Sequence, residues 1–157
     1  MSNAAYDRLT VAHHEAGHCV VAVAVGFHVE RVRVHAGGGE YWLVEQVGGD
    51  QLRQLAQVAL AGPLAELRHR PRHGDTALGQ EGWRWHWRDD GRTARRYLRD
   101  NDAETLALFK ETRWMVRKHW DAIERVAAAL DRRGELTGEE VDDLISFPRF
   151  LGNLAKT

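Results

Sequence analysis

The stretch that decides the fold is residues 13–25, which read HHEAGHCVVAVAV. A helix turns about 100° per residue, so side chains four positions apart lie on one face. His14 and His18 therefore point in the same direction, and Glu15 lies beside them. The apolar run that follows predicts a buried helix. We expect this helix to carry two histidines and a glutamate into the protein interior.

The spacing of these residues is that of the HExxH signature of zinc peptidases. Neutral imidazoles hold Zn²⁺ without cancelling its charge, and the metal lowers the pKa of a bound water to about 7. Glu15 could then accept the proton of that water. The alternative is a satisfied pair of core histidines, but histidines are uncommon in cores. We predict His14 and His18 as zinc ligands, whereas His13, about 100° around the helix, is not expected to bind metal.

Composition places limits on the class of protein. A chain of 157 residues suits one domain, residues 1–157, and its net charge of −1 argues against a generally nucleic-acid-binding surface. A single cysteine, Cys19, excludes an internal disulfide framework and fits a reducing compartment. The longest apolar run is far short of the roughly 20 residues that span a bilayer. The sequence therefore predicts a soluble cytoplasmic protein without membrane insertion.

The residues around the motif predict short, regular elements. The first helix should begin between Asp7 and Thr10 and end near Gly26. Segments 30–35 and 40–45 are typical of the two strands of a hairpin. In zinc peptidases an edge strand beside the metal often pairs with an extended substrate. Ordinary packing of a sheet on a helix is the favoured interpretation here.

A second helix is predicted over residues 51–69, with Asp50 as its cap. The Gly62-Pro63 pair should kink or split this helix, because proline lacks an amide hydrogen and clashes with the preceding turn. Small Ala61 and Gly62 would allow another helix to approach closely. We expect that neighbour to be the first helix, which carries the HExxH motif (the metal helix).

Residues 68–90 predict a long loop, and its segment 83–88 reads WRWHWR. Alternating aromatic and basic groups are typical of a nucleic-acid or peptide platform. An aromatic flap over the core is the favoured interpretation, since one short segment in a near-neutral protein gives little support for nucleic-acid binding.

A zinc ion held by two histidines needs a third protein ligand. Spacing does not choose among the candidates by residue type, which are Glu66, His69, His73, Asp75, His86, Asp89 and Asp90.

Over nearly its whole length, the chain resembles the peptidase domain of the FtsH-type membrane-associated AAA proteases. The resemblance is carried by HEAGH at 14–18, Leu-Ala-Gly at 60–62, Ala-Glu at 65–66, an Asp that begins a helix at position 90, and the segments 123–130 and 134–141. It implies that His14, His18 and Asp90 hold Zn²⁺ and that Glu15 is the general base. The segment before Asp90 departs from the family pattern, and Asp89 is the alternative ligand.

The same family carries an ATPase module that unfolds substrates and helps to form a hexameric ring. This chain has no P-loop pattern, so the sequence does not support ATP dependence. A solitary domain is expected to cut only flexible or unfolded polypeptide, unless a separate ATPase or adaptor delivers the substrate. The sequence does not determine the oligomeric state, and a homo-oligomer is one of the options.

The C-terminal part predicts a helical scaffold, 90–147, followed by a tail at 148–157. Residues 102–131 read as one long helix or two joined helices. Their predicted apolar face contains Leu106, Phe109, Trp114, Ile123, Val126 and Leu130. Gly134 should end this part, and a capping box of Thr137 and Glu140 should begin the last helix, over 138–146. The predicted fold is mainly α with a small β-hairpin (α+β), in which a zincin-like HExxH helix packs against a C-terminal helical bundle.

Three functions follow as hypotheses. The first is a zinc metalloendopeptidase that hydrolyses flexible polypeptide. The second is a catalytically weak or inactive metal-containing binding or adaptor module, which would use the Trp-rich loop 83–88 as its partner surface. The third is zinc-dependent hydrolysis of a non-peptide amide.

Overall fold

The computed structural model describes residues 7–46, 48–70 and 88–145. The elements, in chain order, are α1 (Arg8–Ala24), β1 (Val29–His35), β2 (Gly38–Leu43), α2 (Leu52–His69), α3 (Arg88–Leu98), α4 (Asp102–Lys118), α5 (Trp120–Arg133), β3 (Glu135–Thr137) and α6 (Gly138–Ile145). The fold is mainly α with a small antiparallel sheet, as predicted. The predicted tail, 148–157, and residues 83–87 of the Trp-rich loop lie outside the described residues, as does the side chain of Arg88.

Helix α1 is the centre of the fold and is buried along most of its length. Its start is confirmed, because the Asp7 side chain accepts a hydrogen bond from the Thr10 amide at 2.9 Å. Gly17 brings α1 very close to α2: a β-carbon at this position would lie 2.5 Å from the Ala61 carbonyl oxygen and 2.6 Å from the Ala65 β-carbon. The predicted close approach of the metal helix to the small residues of α2 is therefore confirmed.

Helix α2 corrects the predicted cap and shows that the Gly62-Pro63 pair does not split the helix. A short 3-10 turn at Gly49–Gln51 precedes it, so Asp50 lies within that turn and does not cap α2. Pro63 lies inside the helix, which continues unbroken to His69 and is not split. The residues before Pro63 are small and buried against α1, so tertiary packing outweighs the local cost of the proline.

The sheet has three strands in the order β2-β1-β3, and both pairings are antiparallel. Val32 lies opposite Tyr41 on one side and Leu136 on the other, and its side chain is fully buried. Strand β2 begins two residues before the predicted position, and the third strand, β3, was not predicted. Among the described residues, β2 pairs on one side only and is an edge strand.

Helices α4 and α5 are the two joined helices of the C-terminal scaffold. The inward-facing residues Ile123, Val126 and Leu130 are fully buried, as expected. Leu106 and Trp114 do not belong to the core, because they are 57% and 58% exposed. The apolar residues of α4 therefore cover a wider face of the helix than the part that packs against other elements, where Leu108 and Val116 are buried.

The predicted end of α5 and the predicted start of α6 are confirmed. Gly134 ends α5 in the left-handed conformation, with φ of 81°. The capping box before α6 is present, because the Thr137 amide donates to Glu140 at 2.8 Å and the Glu140 amide donates to the Thr137 hydroxyl at 3.2 Å. Within the described part of the chain, no helix combines the length and the apolarity that crossing a membrane requires.

Candidate metal centre

Two histidines of α1 meet an aspartate of α3 in the interior. His14 Nε2 lies 3.0 Å from Asp90 Oδ2, and His18 Nε2 lies 3.3 Å from Asp90 Oδ1. The two imidazole rings are 4.8 Å apart, centre to centre, and nearly perpendicular. One helical turn of α1 and the first turn of α3 therefore bring together the three side chains that the sequence proposes as ligands.

The other nitrogen of each imidazole is also fixed. His18 Nδ1 lies 2.7 Å from the Val58 carbonyl oxygen, and His14 Nδ1 lies 2.9 Å from Glu66 Oε2. A carbonyl oxygen only accepts, so Nδ1 of His18 donates, which leaves Nε2 as the ring nitrogen available to a metal. Metal-ligating histidines typically have this second hydrogen bond to a carbonyl or a carboxylate.

Glu15 is buried beside the two histidines. Ligand atoms of His14, Glu15 and His18 all lie within 4.8 Å of one another. Its Oε2 is one of the few buried side-chain atoms in the described part of the chain that have no hydrogen-bond partner. Such an atom is costly unless a group absent from the protein chain satisfies it. Burial raises the pKa of Glu15, and the nearby histidines only partly oppose this effect.

Two glycines leave the space around these side chains. A β-carbon on Gly62 of α2 would overlap Nε2 of His18 and lie 2.8 Å from Nε2 of His14. A β-carbon on Gly39 of β2 would overlap Cγ of Glu15 and lie 2.8 Å from its Oε1. Any other residue type would fill the space in front of the two Nε2 atoms or displace the glutamate.

The charges of the cluster favour a cation. Three carboxylates, Glu15, Glu66 and Asp90, surround two imidazoles. Burial by itself lowers the pKa of His14, but hydrogen bonds to Asp90 and Glu66 outweigh it and raise that pKa well above 6.5. Burial by itself raises the pKa of Asp90, but His18 and His14 hold it far below its usual range. Two imidazole nitrogens and a carboxylate oxygen are a donor set that suits Zn²⁺, so the residues present fit this metal.

Tyr41 covers one side of the site. The sequence-based predictions did not include this residue. Its ring stacks on His18, with the ring centres 4.6 Å apart and the planes at 24°. Burial and the negative charges of Asp90 and Glu15 raise the pKa of Tyr41. The alternation of β2 is the signal that could have located it, because Tyr41 lies on the same strand face as Gly39.

The other candidate ligands that the structure describes make different contacts. The Asp89 side chain is 95% exposed and lies 3.4 Å from Arg92, so Asp90 is the aspartate at the site. His69 stacks on His13 at 3.7 Å, and His13 Nδ1 lies 2.8 Å from the Leu9 carbonyl oxygen. Glu66 Oε2 lies 2.9 Å from Nδ1 of His14, the ring nitrogen other than the one that faces Asp90. His73, Asp75 and His86 lie outside the described residues.

The chain matches no family model and no curated protein. The resemblance to FtsH-type peptidases therefore stays a prediction.

Proposed function

We propose that this protein is a zinc-dependent metallopeptidase that hydrolyses extended polypeptide. The observation that carries the proposal is the convergence of His14, His18 and Asp90 next to a buried Glu15 whose Oε2 has no partner among the described residues. A structural histidine cluster has no need of a buried, unsatisfied carboxylate, whereas water-activating hydrolysis does.

His14, His18 and Asp90 would hold the metal. When bound, Zn²⁺ would supply Lewis acidity, which polarises the scissile carbonyl and makes a water acidic enough to react near neutral pH. Glu66 and the Val58 carbonyl hold the two rings in the orientation seen here, so little reorganisation is needed.

Glu15 acts as the base and then as the acid. It accepts the proton of the attacking water through Oε2 and returns that proton to the nitrogen of the leaving amine. A proton is exchanged most effectively by a group whose pKa lies near the working pH, and burial raises the pKa of Glu15 in that direction in the metal-free protein.

The edge strand β2 favours a polypeptide as the substrate. It passes directly beside Glu15 at Gly39 and beside His18 at Tyr41. An extended chain that pairs with a free strand edge is bound through its backbone, largely irrespective of side-chain identity. A substrate of this kind must be flexible or unfolded, and delivery by a separate ATPase or adaptor belongs to the same proposal.

The first prediction concerns Glu15. We expect Glu15→Gln to retain about one zinc per chain and to lose cleavage of unstructured casein by about 100-fold or more, because an amide cannot accept the proton of the attacking water. Metal content and the rate of casein hydrolysis measure the two effects.

A matched control is Glu139→Gln, which changes an exposed glutamate of α6 and should leave both quantities unchanged. Casein cleavage that persists at the wild-type rate in Glu15→Gln would contradict the proposed mechanism. The alternative function, a binding module built on loop 83–88, gains no support from the described residues, because nearly all of that segment lies outside them.

A further inference from the structure

Tyr41 and Gly39 lie on the same face of β2, because side chains two positions apart in a strand point to the same side. This face is turned towards α1. Gly39 lies against Glu15, and the Tyr41 ring stacks on His18 at 4.6 Å. Tyr41 therefore lies two residues along β2 from Gly39, the position that contacts the proposed base, Glu15.

The hydroxyl group of Tyr41 is unused by the fold. Within residues 7–46, 48–70 and 88–145 it has no hydrogen-bond partner, although the residue is half-buried. Its oxygen is not among the buried side-chain atoms that lack a partner in the described residues, so it is accessible to a bound molecule. A tyrosine hydroxyl, whose ordinary pKa is about 10, is protonated at neutral pH and can donate a hydrogen bond.

We propose that Tyr41 is a catalytic residue whose hydroxyl donates a hydrogen bond to the carbonyl oxygen of the scissile peptide bond. This proposal rests on the proposed function. Attack by water turns that oxygen into an oxyanion, and a fixed donor in a site with little water stabilises the developing charge. Glu15 and Tyr41 would then have separate roles. Glu15 accepts the proton of the water, and Tyr41 stabilises the negative charge that develops on the substrate oxygen.

The competing role for Tyr41 is packing, in which the ring supports His18 and the hydroxyl does nothing. Tyr41→Phe separates the two roles because it keeps the ring and removes only the oxygen. Under the proposal, kcat for casein-derived peptides falls by about 100-fold with little change in KM, the usual loss when one oxyanion donor is removed. The zinc affinity stays at the wild-type value.

Tyr97→Phe is the matched control. It removes the hydroxyl of a tyrosine that donates to Glu104 at 2.8 Å, on the opposite end of α3 from Asp90. Its kcat and zinc affinity should equal those of the wild type.

A binding measurement provides a readout that does not depend on turnover. The protein loaded with Co²⁺ is titrated with acetohydroxamic acid, which offers an acceptor oxygen, and with imidazole, which offers none; the visible spectrum of Co²⁺ reports both. Tyr41→Phe should bind acetohydroxamic acid about 10-fold more weakly, the loss expected for one hydrogen bond to a charged group. Its affinity for imidazole should not change.

Equal affinity of the wild type and Tyr41→Phe for acetohydroxamic acid would overturn the proposal, as would a loss of metal affinity in the variant, which would show that the residue acts through His18. A wild-type protein that binds acetohydroxamic acid through Tyr41 but cleaves no peptide would overturn the proposed peptidase function and leave the donor role of Tyr41 standing.

Discussion

At the scale of single residues, Gly62 controls whether the site has room for a metal. Replacement of a helical glycine by alanine usually stabilises a protein by up to about 1 kcal/mol. In Gly62→Ala the new methyl group would overlap Nε2 of His18. We expect a folded variant whose zinc affinity is about 10- to 100-fold lower, measured by competition with a chromophoric chelator.

Gly49→Ala is the control for this prediction, since a β-carbon there meets no atom within 4 Å. It should bind zinc as the wild type does. Wild-type zinc affinity in Gly62→Ala would mean that the metal does not lie between the two Nε2 atoms.

The residues of the site differ in how far the sequence could reveal them. His14, Glu15 and His18 needed only the local helical period. Asp90 needed a family resemblance, because it is 76 positions from His14 and its neighbour Asp89 has the same chemistry. The Val58 carbonyl is a backbone acceptor without any sequence signature, so no pattern could have identified it.

At the scale of elements, the crossing of α1 and α2 depends on Gly17. A β-carbon at this position would lie 2.5 Å from the Ala61 carbonyl oxygen, so only glycine allows the two helices to cross this closely. Neither backbone can yield easily, so Gly17→Ala should lower the free energy of unfolding by about 1–3 kcal/mol, the usual cost of overpacking. Urea denaturation measures this change, and an increase in stability would show that the helices can move apart freely.

The elements themselves were predicted where local chemistry is strong. Asp7 and the Thr137-Glu140 box are capping groups that act within three residues, and both are confirmed. Strand β3 was missed because three residues are too few to show alternation. Trp114 was misplaced because a periodic pattern shows which face of a helix is apolar but not whether another element covers it.

At the scale of the whole molecule, the metal and pH should act on stability together. The pKa of His14 in the metal-free protein is raised well above 6.5 because hydrogen bonds to Asp90 and Glu66 outweigh burial. A raised pKa stabilises the fold fully below pH 6.5, and that contribution is lost as the pH rises through the raised value. The metal-free protein should therefore become less stable as the pH rises from about 6.5 through the raised pKa of His14.

Zinc replaces the charge of the imidazolium and binds more tightly as its ligands lose protons, so the loaded protein should not show this loss. Thermal unfolding across that pH range, with chelator and with zinc, compares the two forms. His14→Gln should flatten the dependence of the metal-free form. A metal-free wild type whose stability rises with pH would contradict the assignment of charge in the cluster.

The organisation of the whole molecule was predicted in outline, as a mainly α fold with the HExxH helix at its centre. Residues far apart in the chain could not be placed by period or capping, because both signals act over a few residues only. The stacking of Tyr41 on His18 illustrates this, since it depends on how a strand and a helix pack and not on either sequence alone.

The contact between His14 and Asp90 also has a consequence for the unfolded chain. A cation shared by these residues would close a loop of 76 positions in a protein with a single cysteine, and so without an internal disulfide. Closing a loop removes conformations from the unfolded ensemble in the way that a covalent cross-link does. The same ion that serves hydrolysis would thus act as a reversible cross-link between α1 and α3, and chelation would lower the free energy of unfolding.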